Sequence, residues 1–251
     1  MKVSIILPTY NEKGNIVSLI QDLDRELKTS KYSKFEYLVV DDNSPDGTAE
    51  AVLELSKTIA GIRLIVRRDE RGLASAVKRG IQESEGDIVV LMDTDYNHQP
   101  QDVPRLLEKL PEHDIVIGSR YLKGGRMEYN LIRHYLSYFF NLFVCKALDL
   151  KTTDNLSGFI AAKRSVFHEI GADEIFQGFG EYHIPFIWMA HQEDYKITEI
   201  PVIYIDRKYG VSKFKAFENL INYTKTVLSL RARVRRGELR KNASDSVCAE
   251  K

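Results

Sequence analysis

Two cysteines, Cys145 and Cys248, are all that the 251 residues contain. They stand far apart and outside any C-x-x-C pattern. That excludes a disulfide-stapled scaffold and a thiolate metal cluster, and fits free thiols in a reducing compartment. Excess charge is also missing: Lys plus Arg and Asp plus Glu number 36 each. A general electrostatic attraction to nucleic acid therefore has no basis. The most apolar stretch, residues 134–145, is bounded by Arg133 and Lys146. It falls well short of the roughly twenty residues of a membrane-crossing helix. Met1 and Lys2 lead straight into a strand-like run that ends at Pro8, so no secretory signal is expected. No G-x-G-x-x-G follows that run, which argues against a standard dinucleotide fold. There is no internal repeat and no linker. What the chain does have is 43% hydrophobic and 29% charged residues, the balance of a folded globular protein. Its length allows one large α/β domain or two small ones.

Apolar periodicity alternates between strand and helix through the first half. Strands are expected at residues 3–7, 35–40, 62–66, 88–92 and 115–117. Between them, Ile16, Leu19, Ile20, Leu23 and Leu27 recur at helical spacing, as do Leu73, Ala76, Val77 and Ile81. Residues 48–59 and 102–110 complete the helical segments. Strands separated by helices of this length imply βαβ units and a mostly parallel sheet. In the second half, residues 131–148 form an aromatic-rich helix and residues 197–205 a strand. Residues 214–231 form a second amphipathic helix that runs into Arg231, Arg233, Arg235, Arg236, Arg240 and Lys241.

Four polar clusters fall at or near strand ends: Pro8-Thr9-Tyr10-Asn11-Glu12; Asp41-Asp42 with Ser44-Pro45-Asp46-Gly47-Thr48; Asp93-Thr94-Asp95 with Asn97 and His98; and Gly118-Ser119-Arg120-Tyr121. In an open parallel sheet the carboxyl ends of the strands form one edge, where ligands bind. The Asp93/Asp95 pair suits a hard divalent cation on oxygen ligands. Glu12 and Asp42 suit ribose or base donors, Tyr10 offers an aromatic surface, and Arg120 supplies a cation. Each cluster alone reads equally as a capped turn. Together they describe a nucleotide-sugar site.

These segments, P-T-Y-N-E, D-D-N-S-P-D-G-T and D-T-D-Y-N-H-Q-P, resemble those of a family 2 glycosyltransferase of the GT-A fold. Within it they are most similar to the polyprenol-phosphate sugar transferases, above all the dolichol-phosphate mannose synthase subgroup. The resemblance runs from about residue 3 to 213 and includes Arg207-Lys208-Tyr209-Gly210-Val211-Ser212-Lys213, which fits that subgroup's R-x-x-G-x-S-K. It implies a catalytic domain over residues 1–213, followed by an amphipathic basic segment at 214–241 suited to a membrane interface; the small, polar residues 242–251 read as a disordered tail. It implies that Pro8, Tyr10, Glu12, Val40 and Asp42 line the nucleoside pocket. Asp93, Asp95 and Asn97 would hold Mg²⁺ or Mn²⁺ on the donor diphosphate, beside Thr94. Arg120, Arg133 and Ser137 would take the acceptor phosphate, and Arg207 and Lys213 would close over the diphosphate. The implied reaction is inverting transfer of a hexosyl group to dolichyl or polyprenyl phosphate, with Asp95, Arg120 and Arg133 central to catalysis and GDP-mannose favoured over UDP-glucose or UDP-N-acetylglucosamine. The implied location is peripheral, on the cytoplasmic face of a membrane, with a separate anchoring subunit as a possible partner.

The chain departs from that pattern twice. Pro185 stands where relatives typically carry a carboxylate, with Glu181 and His183 nearby, and Ile160 stands in place of an arginine after Asp154-Asn155-Leu156-Ser157-Gly158-Phe159. The missing carboxylate has a chemical reading. A sugar hydroxyl needs a general base, whereas a phosphate monoester is largely ionised at neutral pH and needs cations to position it. A transferase acting on a sugar hydroxyl would instead recruit Glu181 or His183. A processive synthase would need spanning helices and Q-x-x-R-W, and the sole tryptophan, Trp188, lies in no such motif. A non-catalytic, lectin-like module is the alternative of another class, and the intact Asp93/Asp95 pair argues against it. The two amphipathic helices suit a bilayer interface, or packing on the sheet or on a second subunit.

Overall fold

The computed structural model describes residues 1–128, 131–171, 175–176, 180–205 and 216–235, excepting the side chains of 131–133, 216–218 and 234–235. The first half follows the expected alternation: β1 (Lys2–Thr9), α1 (Lys13–Leu27), β2 (Lys34–Asp41), α2 (Thr48–Leu55), β3 (Ile62–Val66), α3 (Leu73–Glu83), β4 (Ile88–Leu91), α4 (Asp102–Lys109) and β5 (Ile115–Ser119). Then come β6 (Arg126–Met127), α5 (Leu131–Leu148), β7 (Ile160–Lys163), α6 (Arg164–Glu169), α7 (His183–Gln192), β8 (Ile197–Pro201), β9 (Ile203–Tyr204) and α8 (Ala216–Arg235).

The main sheet runs in the order β3-β2-β1-β4-β7-β5-β8, and β6 pairs with β9 in a small second sheet. Every neighbour in the main sheet is parallel except β7, which is antiparallel to both β4 and β5. The central strands are near-continuous apolar runs because both faces are covered. Ile5 and Leu7 on one face of β1 pack with Ile16, Leu19, Leu23 and Val103, and Ile6 on the other packs with Ala74, Val77 and Ile81. Each such buried side chain contributes about 1.5–3 kcal/mol of apolar burial. Gly80 permits the second contact, since a Cβ there would meet the Ile6 side chain at 2.4 Å.

Sequence periodicity did not anticipate β7, α6 or α7. The β7 strand is four residues, Ile-Ala-Ala-Lys, too short and too small in its side chains to stand out, yet residues 160–162 are fully buried between two strands. The strand expected over 197–205 is split. The Val202 N–H donates to Ser119 O (3.0 Å), after which the chain leaves the main sheet to pair with β6.

Helices α5 and α8 pack together and against α7. Val144 and Leu148 of α5 meet Ile184 and Trp188 of α7 and Val227 and Leu230 of α8. The opposite side of α5 is uncovered: Tyr135, Leu136, Phe139, Leu142 and Phe143 are exposed, Leu136 by 67%. One side of this helix is therefore packed and the other is exposed. Among the described residues, no helix is long and apolar enough to cross a membrane.

Candidate active site

Strand register brings the polar clusters to one edge. Thr9 lies opposite Asp41 in β1–β2, and Ile6 opposite Leu91 in β1–β4. The three segments that follow these strands are therefore neighbours, and Thr94 Oγ1 donates to Pro8 O at 3.2 Å. Each of the three turns carries a non-glycine residue at positive φ: Asn11 (60°), Asn43 (55°) and Tyr96 (68°). For an aromatic residue that conformation is costly. Tyr96 is held in it by burial and by its hydroxyl, which donates to Asp22 Oδ2 at 2.8 Å. The turn fixes Asp95 and Asn97 on either side of it.

Much of the second cluster is architecture. Asp41 is fully buried and accepts from Thr9 Oγ1 (2.8 Å), Ser44 N (2.9 Å) and Ser44 Oγ (2.6 Å). Ser44, Thr48 and Asp46 in turn take the backbone N–H groups of Asn11, Glu12 and Lys13, which open α1. Here the capping explanation wins. The Val40 side chain also packs inside the fold. The expected pocket-lining residue is fully buried with Leu38, Ala76 and Ile65, because its side chain points into the α3 face of the sheet.

Asp42 stays at the edge but is not alone. Arg67 Nε donates to Asp42 Oδ1 at 2.8 Å, Arg67 Nη2 contacts the same oxygen, and Gly72 N donates to Asp42 Oδ2 at 2.8 Å. Both side chains are over nine-tenths buried. Arg67 also donates to Gly72 O (2.9 Å) and Ser75 Oγ (2.8 Å), so it ties the turn before α3 to the end of β2. Arg71 on that turn sits over the half-buried Tyr10 ring, 5.3 Å from its centroid. Sequence reasoning missed Arg67. The signal for it was a charged residue directly after a strand that ends beside Asp42. Pro8 and Glu12 are part-exposed at the same edge, and Glu12 Oε2 accepts from Asn15 Nδ2 at 2.8 Å.

The third cluster is open. The Asp93 side chain is 43% exposed. Asp95 is nearly buried and accepts from Asn97 N (3.1 Å) and Asn97 Nδ2 (2.7 Å). That leaves Asn97 Oδ1 as a buried acceptor with no hydrogen-bond partner. An orphaned oxygen beside two carboxylates is the donor set of a hard divalent cation, so Asp93, Asp95 and Asn97 fit the metal expected of them. Behind them His98 is fully buried. Burial, reinforced by the charge of Arg120 and by His183, pushes its pKa well below the usual imidazole value.

The fourth cluster meets the loop before β7. Because β7 is antiparallel, its entry lies at the edge where its neighbours end, with Ile160 opposite both Leu91 and Ile117. Asp154, Ser157 and Gly158 thereby reach the site. Asp154, fully buried, receives Arg120 Nε (2.8 Å), Arg120 Nη2 (2.8 Å) and Arg120 N (3.0 Å). Burial by itself would lower the guanidinium's pKa, but Asp154 outweighs it and holds the pKa well above the ordinary value. Arg120 is thus a charge already balanced by a bidentate partner, with Nη1 turned toward Met127 Sδ at 4.0 Å. Nothing in the sequence pointed to this carboxylate partner 34 residues away. Ser137 accepts from Tyr121 Oη at 2.8 Å, which joins this cluster to α5. Arg133 lies in the first turn of α5 with its side chain outside the described residues; Arg207 and Lys213 are outside them too, as are 236–251.

His183 opens α7 against Gly158, where an added Cβ would lie 3.1 Å from its Nε2. Burial lowers its pKa to about 3, with Asp154 opposing and Arg120 adding to the shift. Glu181 Oε2 accepts from Gly180 N at 3.0 Å. A cavity of about 640 Å³ also opens along the β8 edge, lined by residues including Lys151, His191 and Glu199 and by none of the expected site residues.

Residues 4–171 match Glycosyl transferase family 2, and the chain belongs to that family. It is 36% identical over 236 residues to a dolichol-phosphate mannosyltransferase of Pyrococcus furiosus, covering 92% of this chain and 64% of that one. It is 42% identical over 124 residues to the dolichol-phosphate mannosyltransferase of Saccharomyces cerevisiae, covering 49% and 46%. An undecaprenyl-phosphate mannosyltransferase of Micrococcus luteus is 33% identical over 239 residues, 92% of this chain and 96% of that one. The chain thus spans less than two thirds of the first two relatives and nearly all of the third. Its fold is similar to that of glucosyl-3-phosphoglycerate synthase from Mycobacterium tuberculosis, solved with Mn²⁺, UDP and glucosyl-3-phosphoglycerate: TM-score 0.68, 20% identity, 92% of this chain and 79% of that one. The GT-A fold expected from the sequence is the fold observed.

Proposed function

We propose that the chain transfers a mannosyl group from GDP-mannose to a polyprenyl phosphate, with inversion, at the carboxyl edge of the sheet. The observation that carries this reading is the join between the site and the bare side of α5. Tyr121, next to Arg120, hydrogen-bonds Ser137 of α5, and α5 exposes Leu136, Phe139, Leu142 and Phe143. A lipid whose phosphate enters near Arg120 would have an apolar surface for its first isoprene units. The activities for which the Pyrococcus, Saccharomyces and Micrococcus relatives are named support the mannosyl donor and the lipid phosphate acceptor.

In this reading Asp42, fixed by Arg67, and Tyr10, under Arg71, receive the nucleoside, with Pro8 and Glu12 beside them. Asp93, Asp95 and Asn97 hold Mg²⁺ or Mn²⁺; when bound, the ion offsets the charge that builds on the leaving diphosphate. Arg120, held by Asp154, contributes positive charge beside the acceptor phosphate. Because Asp154 balances it, Arg133 carries the larger share of that phosphate's charge, and Ser137 supplies a hydroxyl. Arg207 and Lys213 complete the cationic surround on the donor side. No general base is required, since the acceptor oxygen is already anionic. A sugar-hydroxyl acceptor is disfavoured by the candidate bases themselves. A buried imidazole with a pKa of about 3 accepts a proton poorly, and Glu181 is engaged with Gly180 N.

Residues 1–213 would be the catalytic domain, with α8 and the basic segment after it at the membrane surface. The test is incubation with polyprenyl phosphate, Mg²⁺ or Mn²⁺ and a panel of labelled GDP- and UDP-sugars, followed by lipid extraction. Labelled lipid from GDP-mannose is expected. Label from a UDP-sugar alone would overturn the donor assignment, and no labelled lipid from any donor would overturn the function.

A further inference from the structure

A single line of hydrogen bonds runs from the open acidic turn into the second half of the molecule, and its direction is forced. At its far end Ser157 Oγ contacts the Gly118 carbonyl at 2.6 Å, and a carbonyl can only accept. The Ser157 proton is therefore spent there, so in the 2.9 Å contact with Tyr204 Oη it is tyrosine that donates. With its proton committed, Tyr204 Oη must accept across the 2.7 Å contact from His98 Nε2–H. His98 Nδ1 is then bare, as it must be to accept the Asp93 backbone N–H at 2.8 Å. All four bonds are satisfied by one tautomer of a neutral imidazole.

The ring is clamped as well as bonded. It stacks on Phe159, with centroids 4.8 Å apart and 9° between planes, and meets Tyr204 edge-on at 4.9 Å. One glycine makes room for this clamp and a second lies beside it. A Cβ on Gly118 would meet Phe159 Cδ1 at 2.8 Å, and one on Gly158 would lie 3.5 Å from His98 Cε1. A buried histidine with both nitrogens used and its ring stacked on an aromatic face is an expensive way to end a turn, unless the turn must not move.

We propose that His98 is a positioning residue of the metal site: its bare Nδ1 fixes the Asp93 backbone, and so the aim of the Asp93 carboxylate, while Tyr204 and Ser157 hold the ring in that tautomer. His98 touches neither substrate nor metal. The inference rests on the metal reading of Asp93, Asp95 and Asn97. Groups that orient metal ligands typically account for ten- to a hundredfold in metal affinity.

The experiment is titration of Mn²⁺ by electron paramagnetic resonance in the presence of GDP, with GDP binding measured separately without metal. His98→Phe keeps the stacked ring and loses both nitrogens. It should weaken Mn²⁺ binding by about ten- to a hundredfold and leave metal-free GDP affinity within about twofold. His98→Asn can place Oδ1 near the position of Nδ1 and should restore most of the Mn²⁺ affinity. Tyr204→Phe removes the acceptor that selects the tautomer and should cost about three- to tenfold, since the ring can still adopt it. Should His98→Phe not fold, Tyr204→Phe decides the matter, and wild-type Mn²⁺ affinity in that variant overturns the positioning role. Wild-type Mn²⁺ affinity in Tyr204→Phe and His98→Phe, or an equal loss in His98→Asn and His98→Phe, would overturn the positioning role. Wild-type protein that takes up no Mn²⁺ with GDP would instead remove the metal reading itself.

Discussion

The two ends of the same sheet carry acidic clusters with opposite fates. At the amino end of the strands Glu36 is 1% exposed and fully matched. It accepts from Ser4 Oγ at 2.5 Å and Glu85 N at 3.1 Å and is paired with Arg63, with Lys2 Nζ 3.8 Å away. At the carboxyl end Asp93 is 43% exposed and Asn97 Oδ1 is buried without a hydrogen bond. Burial of a charged group is tolerated when its partners are all internal, as they are for Glu36. At the other end the exposure of Asp93 keeps part of the acidic set in contact with solvent. Exposure of Asp93, rather than the presence of carboxylates, is the difference between the two ends.

That contrast can be broken most sharply at Asp95. Asp95→Ala should lower transfer activity by roughly a hundred- to a thousandfold, the scale of losing a major electrostatic contribution to leaving-group departure. Its melting temperature should stay close to that of the wild type. Full activity would remove the metal role. The next effect lies on α5, beside the open end. Leu136→Ser combined with Phe139→Ser removes two exposed apolar side chains and should leave stability unchanged. Partitioning onto anionic lipid vesicles, read by co-sedimentation, should fall by roughly an order of magnitude. Unchanged partitioning would mean that this side of α5 does not face lipid.

The closed end should behave in the opposite sense. Glu36→Gln should cost about 2 kcal/mol, roughly 4–8 °C in Tm, while KM for the nucleotide sugar stays within about twofold. A kinetic defect without a stability defect would dissolve the distinction between the two ends. The smallest expected effect is on pH dependence. His183 has a folded pKa of about 3, below the ordinary value of 6.5. The unfolded chain therefore takes up a proton that the folded protein refuses. Stability falls as pH drops from about 6.5 toward 3 and is insensitive to this group above about 7. Urea unfolding at pH 7.5 and 5.5 should show His183→Phe losing about 1 kcal/mol less than the wild type over that interval. Parallel losses would show that His183 is not buried neutral.

Most of the first five strands and their helices were readable from periodicity because each is a long apolar run with turn residues at its ends. The open acidic cluster was readable too, since Asp93, Asp95 and Asn97 are contiguous and follow a strand. Partners brought from far along the chain were not readable. Arg67 is 25 residues from Asp42, Asp154 is 34 from Arg120, and Tyr204 is 106 from His98. No local spacing encodes such pairs. The helix over residues 131–148 was visible as aromatic and apolar, but which side of it would be covered depended on where α7 and α8 pack.

The sequence by itself determined the βαβ order and the polar clusters at the carboxyl edge, because propensity, patterning and motif spacing act within a few residues. Tertiary structure decided that β7 runs antiparallel between β4 and β5. Only in that direction does its entry segment, with Asp154 and Ser157, arrive at the edge where β4 and β5 end. The result is that Arg120 is balanced by Asp154 and that His98 has a fixed partner chain behind Asp93, two facts that depend on sheet register and not on neighbours in sequence.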